Sequence, residues 1–132
     1  MTSHRALMAV SVSRAEPSAA RVLRGVTACV FLGGGLAKLV GLTVMVALFD
    51  DIGLGQWLRY VTGLTEVVGG GLLLVPALAP FGVLLLLGVM LGAVAAEVLI
   101  RHRVPVLALT FLGALLALAS KQEMRAALRR RR

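Results

Sequence analysis

The chain has 132 residues, enough for one domain, with 59% hydrophobic and 15% charged residues and a mean hydropathy of +0.95. Soluble domains carry about a quarter charged residues, so this composition argues against a water-soluble fold and predicts an all-α integral membrane protein. The net charge of +8 does not indicate a nucleic-acid partner, because most basic residues flank apolar runs as they do in membrane proteins.

In chain order, residues 1–20, with Pro17 and several serines, read as a flexible or interfacial amino-terminal arm. The run "ALMAVSVS" is short and is followed by arginine and glutamate, so no cleaved signal peptide is expected. A membrane domain over 21–120 follows, with four apolar spans at about 22–49, 57–78, 81–100 and 104–120. "DDIGLGQ" separates the first two, "PALAP" the second and third, and "RHRVP" the third and fourth. Pro105 suits the first turn of a new helix. Residues 121–132 form a basic cytoplasmic tail.

The apolar runs are continuous, whereas barrel strands would alternate polar and apolar residues. Short connectors make successive helices antiparallel neighbours, giving a four-transmembrane-helix bundle. The side shared by the termini holds Arg5, Arg14, Arg21, Arg24, Lys121, Arg125 and Arg129, Arg130, Arg131 and Arg132, against Arg59, Arg101 and Arg103 opposite. Both termini are therefore expected to be cytoplasmic. The terminal arginines Arg129 to Arg132 serve as a topology anchor or a contact for anionic lipid headgroups. The single cysteine, Cys29, is read as a small packing residue in the first span, and no CxxC pair exists for dithiol chemistry.

Two charges lie inside spans. Lys38 is eleven residues before Phe49 and Glu66 eight residues after Leu58, depths of about 16 Å and about 12 Å from the same surface. A charge at a helix centre costs roughly 2.5 to 3.5 kcal/mol, so such groups turn inward and pair. A Lys38–Glu66 pair is expected, either as a structural ion pair fixing register or as part of a ligand, proton or headgroup site. Thr27, Phe31, Gly34, Lys38 and Gly41 share one helical face, as do Arg59, Thr62, Glu66 and Gly70. Gly34, Gly35, Arg59, Thr62, Gly70, Glu97 and His102 are the expected cavity lining. Glu97 can alternatively form an i,i+4 pair with Arg101. Gly88 and Gly92 have the GxxxG spacing of a helix contact. No metal site is expected.

"RVLRGVTACVFLGGGLAKLVG" and "DIGLGQWLRYVTGLTEVVGGGLLLVP" together resemble the DoxX-like family of small bacterial membrane proteins. The shared pattern is a glycine shortly before a lysine, Gly35 and Lys38, then a glutamate followed by glycines, Glu66, Gly69 and Gly70. The likeness covers roughly Arg21 to Ser120, and the fourth span adds little beyond hydrophobicity. It implies a four-helix protein of the bacterial cytoplasmic (inner) membrane. Some members are associated with membrane redox complexes; together with the buried pair, this motivates a redox partner and a quinone or another amphipathic ligand, and no catalytic residue carries over.

The expected function is a non-catalytic membrane subunit or small-molecule (quinone-like) binding module, in contact with the lipid bilayer and with a redox partner or a second copy. The alternative is a small homodimeric proton-coupled exporter using Glu66, although a lysine neighbour would compete with proton exchange there. A lipid-directed enzyme has little support, because only one deep carboxylate is visible and no nucleophile–base constellation accompanies it.

Overall fold

The computed structural model describes the backbone of Thr2–Arg130 and the side chains of residues 19–122 and of Arg125. Among the described residues the chain is all-helical, with five helices: α1 (Thr2–Val40), α2 (Thr43–Ile52), α3 (Gln56–Leu74), α4 (Ala79–Leu99) and α5 (Val106–Arg130). The side chains of the amino-terminal arm up to residue 18 and the terminal arginines Arg129 to Arg132 lie outside the described residues.

The expected first span, 22–49, is not one helix. Gly41 adopts a left-handed φ of 78° and ends α1. Its N–H donates to the Lys38 carbonyl and the Leu42 N–H donates to the Ala37 carbonyl. This is the two-bond ending that a glycine just past a helix terminus permits. The chain then restarts as α2, which stops at a second left-handed glycine, Gly53, whose N–H bonds the carbonyls of Phe49 and Asp50. Pro80 sits in the first turn of α4, where its missing N–H costs nothing. Pro105 directly precedes α5, and its carbonyl accepts the Leu109 N–H. The last helix does not stop at Ser120 but continues to Arg130.

Helix α1 packs on α3, α3 on α4, α4 on α5, and α5 returns to α1, while α2 rests mainly on α3. Glycines set the closest approaches. A Cβ on Gly35 would fall 2.7 Å from the Gly63 carbonyl, and one on Gly70 would fall 3.1 Å from the Ala28 carbonyl. Small residues thus bring α1 and α3 together along their length. Gly82 does the same for α4, where a Cβ would lie 2.8 Å from the Gly69 carbonyl.

Farther along α4 the helices diverge. Gly88 and Gly92, expected to form a contact, have open space where a Cβ would stand, with nothing within 4 Å. Spacing alone identifies a smooth stripe on a helix; it does not say that a neighbour lies against it. The molecule is consequently solid at one end and hollow at the other. Ala28, Phe31, Leu73, Val83, Leu86, Leu115 and Leu118 fill the solid end. Phe31 meets Phe111 edge-on at 5.6 Å between ring centroids.

Among the described residues, two helical segments are long and apolar enough to cross a membrane, Ala19–Val40 of α1 and α4, and only 22% of each is buried. The core helix of a water-soluble protein would bury far more of such a surface. Helix α5 contributes a shorter apolar stretch, Val106–Gln122. Helix α3 falls short because Gln56, Arg59, Thr62, Thr65, Glu66 and its glycines dilute the apolar character. Its polar residues are mostly turned inward: Arg59, Gly63, Glu66, Gly69 and Gly70 are buried while Leu64 and Val68 face out. Cys29, expected to pack, is instead exposed on α1.

Candidate functional site: a polar pair at the end of an apolar cavity

Lys38 and Glu66 face each other across the α1–α3 contact. The ammonium Nζ donates to Glu66 Oε2 at 2.7 Å. Gly34, one turn before the lysine, supplies the room: a Cβ there would sit 3.5 Å from Glu66 Oε2 and 3.9 Å from Lys38 Nζ. The Gly35–Gly63 approach brings the two backbones close enough for the short bridge. The Glu66 side chain is 5% exposed and that of Lys38 15%, so both charges have left solvent and each depends on the other.

A second polar chain supports the first. Arg59 is buried in the first turn of α3, and its Nη1 donates to the Lys38 carbonyl. That carbonyl belongs to the last turn of α1, where it also accepts the Gly41 N–H and where a cation is favoured. Arg59 Nε donates to Gln56 Oε1 at 2.7 Å. Gln56 Nε2 in turn donates to Asp50 Oδ1 at 2.6 Å and to the Val46 carbonyl at 3.0 Å. These bonds tie α2 to the start of α3 and to the end of α1.

Beyond the solid core, α2, α3, α4 and α5 enclose a half-open cavity of about 990 Å³. Its walls are largely apolar, from Phe49, Leu58, Val89 and Phe111 among others, and Met90 is shared with the core. Lys38 and Glu66 border the cavity, and Thr62 and Thr65 stand beside them on α3. Glu97 and Arg103 line it on the side of the α4–α5 connector. Glu97 also forms the expected i,i+4 pair, accepting from Arg101 Nη1 at 2.7 Å. Arg101 Nη2 lies 3.6 Å from Asp51 Oδ2 and so links α4 to α2.

Of the expected lining, the structure brings Thr62 and Glu97 to the cavity along with the ion pair. Gly34 borders the pair. Gly35 and Gly70 do not line the cavity, because they are occupied by the α1–α3 contact. Arg59 points to the end of α1. His102 stands exposed in the α4–α5 connector with a φ of 49° and is absent from the lining. Sequence reasoning missed the role of Arg59 as a helix-end donor. It also missed Gln56, Phe49 and the open glycines of α4. A basic residue opposite a glycine-terminated helix is the signal that could have found the first.

Residues 22–120 match the model of the DoxX-like family. The chain belongs to the DoxX-like family. No curated protein and no solved structure matches it. The stretch that carries DoxX-like membership includes both partners of the ion pair, the Arg59 bridge and every wall of the cavity. Together with two apolar helices whose sides are mostly uncovered, membership points to a membrane protein in contact with lipid.

Proposed function

We propose that this DoxX-like chain is a non-catalytic membrane subunit or binding module that holds an amphipathic, quinone-like small molecule. The observation that carries the reading is the cavity of about 990 Å³ bordered by Lys38 and Glu66. An apolar pocket of this size with a few convergent polar groups has the dimensions of a site for a lipid-soluble ligand. Ionisable side chains at membrane depth mark functional positions by default. The chain sits in the bacterial cytoplasmic membrane as a four-span bundle of α1, α3, α4 and α5, with both termini on the cytoplasmic side. The family's redox associations support a place beside a membrane oxidoreductase.

The test is extraction. The protein is purified in mild detergent, and co-purifying lipids are identified by mass spectrometry beside a variant carrying both Lys38→Ala and Glu66→Ala. Enrichment of an isoprenoid or similar amphiphile on the unaltered protein is the expected result. Equal lipid profiles for the two proteins would overturn the binding role.

A further inference from the structure

The ion pair at the polar end of the cavity carries no net charge of its own. Lys38 and Glu66 form it 2.7 Å apart, and passing a proton from one to the other leaves their sum at zero. An ammonium has three donors and a carboxylate accepts at both oxygens. Among the described residues the pair uses one donor and Oε2, leaving further N–H groups and Oε1 beside the cavity. The neighbouring hydroxyls do not compete, because Thr62 donates to the Leu58 and Arg59 carbonyls and Thr65 to that of Val61.

This arrangement discriminates between head groups. A carboxylate ligand would meet the Glu66 carboxylate, and an amine would meet the Lys38 ammonium. Either would have to break the pair and strand one partner in apolar surroundings. A hydroxyl accepts from Nζ and donates to the carboxylate while the pair stays intact. The far wall suits an apolar body. Gly88 and Gly92, one turn apart on α4, line the cavity with open space before them, and Ala93 and Ala96 continue that wall.

We infer that the cavity takes an uncharged, hydroxyl-bearing amphiphile, with its hydroxyl on the Lys38–Glu66 pair and its apolar body along Gly88 and Gly92. A long-chain alcohol, a lipid phenol or a hydroquinone fits this description; a fatty acid or fatty amine does not. The inference rests on the binding role proposed above and names the ligand chemistry.

The experiment offers the purified full-length protein equal amounts of hexadecan-1-ol, palmitate and hexadecylamine, which share a chain length and differ in head group. Native mass spectrometry counts the 1:1 adducts. The alcohol adduct should exceed each of the others by about tenfold, the ratio that corresponds to about 1.4 kcal/mol. Gly88→Leu and Gly92→Leu should each lose that adduct with an unfolding temperature unchanged or raised, because both positions are open and leucine favours the helix. Palmitate or amine adducts equal to the alcohol adduct would overturn the head-group assignment and leave the binding role standing. Survival of the adduct in both glycine variants would overturn the wall assignment. Absence of all three adducts would overturn the inference, and the lipid extraction then decides whether the binding role falls with it.

Discussion

The guanidinium of Arg59 donates to the main-chain carbonyl of Lys38, the same residue whose ammonium bonds Glu66. One lysine thus joins two polar contacts from α3, one through its backbone and one through its side chain. The end of α1 and the buried charge are fixed together, and changes at one should be felt at the other.

The ion pair should behave as a unit. Removing one partner of a buried pair costs about 3 to 5 kcal/mol, since the other charge is left uncompensated. Lys38→Ala and Glu66→Ala alone should each destabilise the protein more than both together. Unfolding in mixed detergent micelles measures this, and a double variant as weak as either single one would remove the pair's energetic role.

Gly41 is constrained twice. Its φ is 78°, and a Cβ there would lie 3.1 Å from Arg59 Nη1. Gly53 shares the left-handed conformation, with a φ of 73°, but has nothing within 4 Å. Gly53→Ala should therefore cost only the backbone term, about 1 to 2 kcal/mol. Gly41→Ala should cost more, by displacing the guanidinium. Equal losses in thermal unfolding would show that the Arg59 contact yields freely.

The α1–α3 contact should not tolerate a methyl group at Gly35, where a Cβ would meet the Gly63 carbonyl at 2.7 Å and Val67 Cγ2 at 2.8 Å. Overpacking of this kind costs about 1 to 3 kcal/mol. Gly33, two residues away, has nothing within 4 Å. Gly33→Ala should be neutral or gain up to about 1 kcal/mol from helix propensity. The contrast between the two variants, read in the same unfolding assay, is the check.

These comparisons also show what a linear reading can reach. Lys38 and Glu66 could be matched from sequence because two charges in neighbouring apolar segments need each other, although the depth counted from Phe49 fails, since the helix ends at Gly41 rather than running on to Phe49. The break at Gly41 could not be read, since in "GLAKLVGLTVMVALF" the residues on both sides of the glycine are mostly apolar and no proline or polar cluster marks a turn there. Its turn is stabilised by Arg59, a residue from another helix. Gly35 and Gly88 look alike in sequence; one faces a neighbouring backbone and the other faces open space. That distinction depends on how far α4 splays from α3, a property of the assembled helices.

The proposed topology is open to a reporter test. An enzyme active only outside the cytoplasm, fused after Arg132, should stay inactive, whereas the same reporter inserted in the α2–α3 connector at Leu54 should be active. The reverse pattern would invert the orientation, and activity at both positions would change the number of spans.

The 28-residue separation of Lys38 and Glu66 has a consequence for biogenesis. On the proposed topology, α1 leaves the ribosome carrying an ammonium whose counter-charge has not yet been synthesised. Alone, that lysine opposes insertion, though in the last turn of α1 by less than the roughly 2.5 to 3.5 kcal/mol of a helix-centre charge. Helices α1 and α3 should therefore enter the bilayer as a hairpin, with commitment delayed until Glu66 emerges. Nascent chains truncated before Glu66 should insert α1 less completely than chains extending past Leu74, and equal insertion of the two would argue that α1 partitions on its own.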